Sequence, residues 1–134
     1  MSEQRAGYRF VPHTADLMVE AWGATRDEAF EQAARGLITS FAEITGAVTV
    51  TQDLELPADD GGALLALLEE IVFLADARAL VPSEVRVRGA VASLGLTELH
   101  PEAVTGAPPK AITYHEFSAE QRLDGWHCRF VVDV

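Results

Sequence analysis

The sequence predicts an α+β fold in which two helices pack on a mainly antiparallel β-sheet. Several segments alternate between apolar and polar residues, which is the period of a half-buried strand. One further segment repeats its apolar residues at helical spacing, and another is a longer, mostly apolar helical segment. The closing elements are all strands, so helices and strands do not alternate regularly. With 134 residues, of which 49% are hydrophobic, the chain suits a single domain over residues 1–134.

The first three predicted elements are two strands and a helix. The segments YRFVP and LMVEAWG have the aromatic and β-branched residues of strands, and Gly23 ends the second of them. Thr25 and Glu28 have the spacing of a capping box, in which two side chains satisfy backbone donors at a helix start. The apolar residues that follow recur at helical spacing and form one stripe: Phe30, Ala33, Ala34, Leu37 and Phe41.

The remaining predicted elements are a strand, a buried helix and four strands. The third strand is AVTVTQDLEL, and a helix containing ALLALLEEIVFLADA begins near Gly62, after the turn PADDGG. Because this helix is apolar on most of its circumference, we expect it to lie deep against a sheet. The closing strands are SEVRVRG, AVASLGLTEL, KAITYHEF and GWHCRFVVDV, with the loop HPEAVTGAPP before the last two and the polar connection SAEQRLDG between them.

Charge and hydropathy argue against several classes of protein. The 21 acidic and 10 basic residues give a net charge of −11 without a basic stripe, so strong direct binding of nucleic acid is not expected. No run approaches the ~20 apolar residues of a membrane span, and MSEQRAGYRF lacks the apolar core of a signal peptide. We therefore expect no membrane association and a cytoplasmic location. The one cysteine, Cys128, excludes an internal disulfide.

Three features suggest chemistry, although each also has a purely structural explanation. Lys110 is the only lysine beside nine arginines, which reflects either composition bias or a need for a compact ammonium group. His13 and Asp16 of HTAD are three residues apart, so the pair is either a hydrogen-bonded turn or part of a polar site. Asp133 has the opposite parity to the apolar residues of its strand. It belongs either to an exposed edge beside Arg129 or to an oxygen site for Ca²⁺ or Mg²⁺.

Taken together, these segments resemble the archease family over nearly the whole chain. The most specific similarity is YRFVPHTADLMVEAWGATRDEAFEQAARGL, in which HTAD precedes a strand, a glycine and the pattern T-x-x-E-A-F. KAITYH is the second most specific part, and ALLALLEEIVFLADA and the closing VVDV agree in order and approximate spacing. One departure is Pro12, because family members commonly have an acidic residue directly before HTAD.

The resemblance implies a set of site residues at three separate places in the sequence. The residues that it makes critical for activation are Asp16, Lys110 and Asp133. A divalent metal ion, with Ca²⁺, Mg²⁺ or Mn²⁺ as candidates, would be bound by Asp16, Asp133 and a backbone or terminal oxygen of Val134. His13 would orient the aspartate, and the resemblance gives supporting roles to Tyr114 and His115 of KAITYH.

The function that the resemblance implies is activation of another enzyme. Archeases are not ligases themselves; they activate the GTP-dependent tRNA-splicing ligase by promoting its guanylylation and its multiple turnover. That ligase is therefore the expected partner, and no catalytic residue is expected in this chain. Two alternatives remain open: a small metal-dependent phosphoester hydrolase that uses the same His-Asp cluster, and a non-catalytic adaptor that tolerates loss of Asp16.

Overall fold

The computed structural model describes residues 5–12, 16–44 and 46–134. Within these ranges the chain forms seven strands, two α-helices and one short 3-10 helix. In chain order the elements are β1 Gly7–Val11, β2 Leu17–Gly23, α1 Arg26–Phe41, β3 Val50–Glu55, α2 Asp60–Arg78, β4 Leu80–Arg88, β5 Val91–Glu98, the 3-10 helix Pro101–Ala103, β6 Ala111–Arg122 and β7 Gly125–Asp133. The predicted α+β class and the predicted order of the helices and strands are confirmed.

The strands are divided between two antiparallel sheets. The larger sheet has the order β1-β2-β7-β6, and the smaller one has the order β3-β5-β4. The sequence predicted the number and order of the strands, but it did not predict this division. Strand pairing depends on contacts between distant segments, and a local pattern of alternation does not specify its partner.

Helix α1 begins with the predicted capping box. The Thr25 side chain accepts a hydrogen bond from the Glu28 N–H at 3.1 Å, and the Thr25 hydroxyl donates to the Glu28 carboxylate at 3.3 Å. The helix packs along β2, and the whole predicted apolar stripe is buried in the core. Gly36 belongs to this contact, because a Cβ atom there would lie 2.8 Å from the Val19 side chain.

Helix α2 buries one face in the core, but Phe73 on its other side is 49% exposed, so the helix lies less deep than its all-round hydrophobicity predicted. It begins at Asp60, and the Asp59 side chain caps it by accepting from the Gly62 N–H at 2.7 Å. It ends at Arg78, followed by Ala79 in the left-handed conformation with φ 51°. Within the described ranges, no helix combines the length and the hydrophobicity needed to cross a membrane.

One hydrophobic cluster contains buried residues from both helices and both sheets. Cys128, Phe130 and Val132 of β7 belong to this core, as their shared parity predicts. The structural explanation of Asp133 as part of an exposed edge beside Arg129 is wrong. Strand β7 lies between β2 and β6, so it is not an edge, and Arg129 pairs with Glu20 at 2.5 Å.

The polar segment SAEQRLDG is not the connection that its composition suggested. Strand β6 continues to Arg122, and its second half pairs with β7 from Ser118↔Arg129 to Arg122↔Gly125. The turn is therefore short, and Gly125 follows it with φ 132°, a backbone conformation that suits glycine. Polar residues are compatible with an edge strand whose outer side faces solvent, so the polarity of this segment was misleading.

Candidate functional site

Two of the predicted site residues meet at one end of the four-stranded sheet. In the β2–β7 ladder the last pair at this end is Leu17↔Val132. Asp16 directly precedes Leu17 and Asp133 directly follows Val132, so the two aspartates flank this last pair. Asp16 is half-buried and Asp133 is exposed. The structure therefore brings together two carboxylate positions that are more than a hundred residues apart in the sequence.

The third predicted residue, Lys110, lies at the same end of the sheet. Its backbone N–H donates to the carbonyl oxygen of Asp133 at 2.7 Å, and the following residue forms the ladder pair Ala111↔Asp133. Lys110 is thus the residue directly before β6, and its side chain is exposed. Lys110 shares the face of Ile112, so its side chain can reach the end of the sheet only because it lies where the strand begins.

Lys110 and Asp133 lie towards opposite faces of that sheet. Lys110 lines a surface depression of about 250 Å³ together with residues of α2, among them Glu69, Phe73 and Asp76. It therefore lies on the helix-covered side. Asp133 has the parity of Arg129, whose side chain lies on the face away from α1 and α2. The ammonium group and the carboxylate share one end of the sheet but not one face.

The loop between β5 and β6 fixes the position of Lys110. It passes over the C-terminal end of α1, where the Thr105 N–H donates to the Phe41 carbonyl oxygen at 2.9 Å and the Glu43 N–H donates to the Ala103 carbonyl oxygen at 2.8 Å. The first of these bonds satisfies the Phe41 carbonyl, which the end of α1 leaves without a partner in the helix. The loop then reaches Pro109, which is buried, so Lys110 emerges from an anchored segment.

The donors at this end of the sheet are oxygens, which suit a hard divalent cation. Asp16 and Asp133 supply carboxylates, and Val134 supplies a backbone carbonyl oxygen. In the part of the chain that the structure describes, no group of three or more His, Cys, Asp or Glu side chains is placed to hold a metal ion. A cation here would therefore need backbone or water oxygens as well. His13, predicted to orient Asp16, lies outside the described residues.

Tyr114 and His115 lie on a wide bulge in β6. The register with β7 runs to Thr113↔Val131 and resumes at Ser118↔Arg129, so residues 114–117 stand opposite Phe130 alone. The bulge includes Glu116 in the left-handed conformation, with φ 54°, which is uncommon for a residue with a side chain. Tyr114 is 78% exposed as a result. The sequence predicted an unbroken strand here.

The sequence did not predict a charged cluster on the face of the sheet away from the two helices. Glu20 accepts hydrogen bonds from Arg129 at 2.5 Å and from Arg9 at 2.8 Å, across three neighbouring strands. The hydrogen bond from Arg129 is the main reason why the pKa of Glu20 lies below its ordinary value. The three residues are separated in sequence, so only the strand register identifies them as partners.

Comparison with known proteins identifies the family of this chain. A sequence profile of the Archease protein family (MTH1598/TM1083) matches residues 8–134. The chain belongs to the archease family. It is 38% identical over 135 residues to a probable protein archease of Mycobacterium tuberculosis strain H37Rv, covering 96% of this chain and 75% of that relative. It is 33% identical over 142 residues to protein archease of Pyrobaculum calidifontis, covering 96% of each chain.

Solved structures share the fold of this archease. The solution structure of protein 1598 from Methanobacterium thermoautotrophicum matches with a TM-score of 0.78 at 22% identity, over 96% of this chain and 99% of that one. The crystal structure of a Thermotoga maritima archease, described as a possible chaperone, matches with a TM-score of 0.69 at 20% identity, over 92% and 94% of the two chains. At these identities the likeness concerns the fold alone. The division of the strands into two sheets therefore belongs to a fold that solved archeases share.

Proposed function

We propose that this archease is a non-catalytic activator of a GTP-dependent tRNA-splicing ligase, and that it acts in the cytoplasm. It would promote guanylylation of the ligase and so allow multiple turnover. One observation carries the proposal: Asp16, Lys110 and Asp133 belong to three separate motifs, and the strand register brings them to one end of the sheet. Packing alone has no need of two carboxylates and the chain's only lysine at one end of a sheet.

The two aspartates have the donor chemistry of a divalent-cation site. Asp16 and Asp133 would bind the ion with an oxygen of Val134, and Ca²⁺ suits a site completed by backbone and water oxygens, with Mg²⁺ or Mn²⁺ as alternatives. When bound, such an ion supplies positive charge that stabilises phosphoryl transfer. His13 would orient Asp16.

The groups around the aspartates would contact the ligase. The ammonium group of Lys110 would reach a phosphate of GTP or a carboxylate of the ligase from the helix-covered side of the same sheet end. Tyr114 and His115 would contact the ligase surface beside it, since the bulge in β6 leaves the Tyr114 ring exposed. This chain would hold and present groups, while the bond-making chemistry belongs to the ligase.

Guanylylation of the cognate ligase tests the proposal. The ligase is incubated with limiting GTP and divalent cation, with and without this protein, and covalent GMP is measured. We expect stimulation by the native sequence and loss of most of it with Asp16→Asn, Asp133→Asn or Lys110→Ala. Glu55→Gln and Arg88→Ala remove exposed charges from the smaller sheet and serve as matched controls that should stimulate normally.

The other outcomes identify the alternatives. No stimulation by a folded native protein would contradict ligase activation. Turnover of a small phosphoester by this protein alone, abolished by Asp16→Asn, would identify a hydrolase. Stimulation that survives Asp16→Asn and Asp133→Asn would leave an adaptor without a working metal site.

A further inference from the structure

Side chains of helix α1 bind the C-terminal end of the outer edge of β4, whereas the N-terminal half of that edge, which has Pro82 and a bulge between Pro82 and Glu84, lacks these contacts. Strand β4 is an edge strand of the smaller sheet. Along its C-terminal half, the Asp27 carboxylate accepts from the Gly89 N–H at 3.2 Å, and the Glu31 carboxylate accepts from the Val87 N–H at 2.8 Å. Four residues of a helix and two residues of a strand each advance by about 6 Å. Acidic residues four apart on α1 can therefore bind successive outward N–H groups along the strand. Side chains of α1 thereby protect this part of the edge.

The next position of this series on α1 has no acceptor to bind the strand edge. Four residues after Glu31 the helix has Arg35, a hydrogen-bond donor instead of an acceptor. Val85 lies two residues before Val87 in a regular part of the ladder, so its N–H is directed to the same edge. Within residues 5–12, 16–44 and 46–134, no side-chain acceptor binds this N–H. A strand edge with free backbone groups is a template for pairing with another strand.

A cleft opens between α1 and β4 at this point. It consists of two adjoining depressions of about 400 Å³ and 270 Å³ that share Arg35, Ser83 and Val85. The larger one lies in the volume range of about 300–1,000 Å³ that is typical of ligand sites. Its lining includes apolar residues from α1, β4 and the segment after α1: Ile38, Ala42, Ile44, Pro82 and Val85.

We propose that this cleft binds an extended segment of a partner protein by strand addition to β4. A carbonyl oxygen of the segment accepts from the Val85 N–H, and an amide N–H of the segment donates to the Val85 carbonyl oxygen, which faces the same edge. A neighbouring carbonyl oxygen of the segment accepts from Arg35. An apolar side chain of the segment fills the apolar lining beside Pro82. Main-chain pairing supplies affinity and the side-chain cavity supplies selectivity, which is the usual division in strand addition.

The charges around the cleft indicate which residues should flank the apolar centre of the bound segment. The carboxylates of Glu43 and Glu84 stand at the two depressions, and both residues are exposed. Arg35 and Arg86 offset part of this charge, but the chain as a whole has a net charge of −11. A segment with basic residues on either side of its apolar centre is therefore favoured over an acidic one.

The inference does not depend on the proposed function, although the two sites are near each other in the chain. Thr105 lines the cleft and belongs to the loop that leads to Lys110. A partner segment in the cleft would consequently contact the same loop that positions the lysine. Peptide binding is measured without ligase, GTP or metal, so failure of one proposal is distinguishable from failure of the other.

The probe is the acetylated, amidated peptide Lys-Val-Leu-Val-Lys, titrated into ¹⁵N-labelled protein and followed by amide chemical shifts. We expect saturable shifts centred on Val85 and Arg35. Two further peptides are N-methylated, one at the leucine amide and one at both valine amides. Because alternate amides of a strand point to opposite edges, one of these two should lose affinity by about tenfold or more and the other should not.

Protein variants test the location. Thr39 is exposed and lines the cleft, so Thr39→Trp should fill it and weaken the peptide by about tenfold or more. Gln32→Trp places the same ring on α1 outside the cleft and should bind normally. A peptide with glutamates in place of both lysines should bind more weakly than the basic one.

Several results would overturn the proposal: no saturable shifts, equal loss with both N-methylated peptides, or equal binding by Thr39→Trp. Stronger binding of the glutamate peptide would also overturn it. Self-association of the native chain that Thr39→Trp abolishes, without peptide binding, would assign the cleft to a second copy instead.

Discussion

The backbone N–H of Lys110 donates to the backbone carbonyl oxygen of Asp133 at 2.7 Å. A main-chain hydrogen bond therefore holds the only lysine of the chain beside this aspartate. This bond and the ladder pair Ala111↔Asp133 involve no functional side chain. Substitutions of the Lys110 and Asp133 side chains should therefore leave the end of the sheet in place. Such variants test chemistry more cleanly than they would at a site held together by its own side chains.

Neutralising either aspartate is expected to weaken binding of a divalent cation. Asp16→Asn and Asp133→Asn each remove one of the two carboxylates that flank the last β2–β7 pair, while keeping the size of the side chain. We expect the affinity for Ca²⁺ to fall by about tenfold or more, which corresponds to at least about 1.4 kcal/mol. Isothermal titration calorimetry measures this, with Glu55→Gln as the matched loss of one exposed charge. Equal Ca²⁺ affinity of the native protein, the two aspartate variants and Glu55→Gln would show that Asp16 and Asp133 do not bind the ion.

Glu20→Gln is expected to destabilise the protein at neutral pH. It removes a carboxylate that accepts hydrogen bonds from Arg9 and Arg129 and whose own side chain is only 17% exposed. We expect a loss of about 1 kcal/mol in the free energy of unfolding, measured by urea denaturation at pH 7. The loss should shrink at high salt, because both arginines are accessible to screening ions.

Acidification provides a check on the same contact. The pKa of Glu20 is lower in the folded state than its ordinary value of 4.5, chiefly because of the hydrogen bond from Arg129. The stabilisation is therefore present above that ordinary value and disappears as the pH falls through the lowered pKa of the folded state. The native protein and Glu20→Gln should converge in stability on acidification. Glu120→Gln is the control, because its partner Arg122 is two residues away on an exposed strand and should matter little.

Gly106→Ala is expected to destabilise the loop that carries Lys110. A Cβ atom there would clash with the backbone carbonyl oxygen of Ser40, which belongs to α1 and cannot move aside freely. Overpacking of this kind costs about 1–3 kcal/mol. Gly61→Ala is the matched control in α2: its Cβ would meet nothing within 4 Å, and alanine should stabilise the helix by up to about 1 kcal/mol. Thermal unfolding distinguishes them, and similar melting temperatures for the two would contradict the contact.

Local sequence patterns were sufficient to predict the elements. The Thr25–Glu28 capping box, the apolar stripe of α1 and the all-round hydrophobicity of α2 depend on residues within a few turns of each other. The parity of β7 was equally informative, because it placed Cys128 and Phe130 in the core and Asp133 on the other face. Each of these properties is set by neighbouring residues in one element.

Relations between distant segments could not be predicted in the same way. Asp16 and Asp133 lie at the same end of the sheet only because β2 and β7 pair in one particular register, and nothing near either residue specifies it. The bulge around Tyr114 depends on four residues of β6 passing one residue of β7, a mismatch that alternation within one strand does not reveal. The resemblance to archeases grouped Asp16, Lys110 and Asp133 as site residues, and the register is what explains how they meet.

Cys128 is expected to be unreactive in the folded protein. It is 2% exposed, and burial raises the pKa of its thiol to about 12 from an ordinary value of 9.0. Near pH 8 almost none of it is thiolate, and the thiolate is the reactive form. Iodoacetamide should therefore modify the native protein very slowly and the urea-unfolded protein rapidly, as mass spectrometry would show.

The same shift implies that stability falls as the pH rises above about 9, because the unfolded state ionises its thiol first. Cys128→Ala removes the titrating group and should show a weaker decline between pH 9 and 11; rapid modification of the native protein at pH 8 would contradict the buried position.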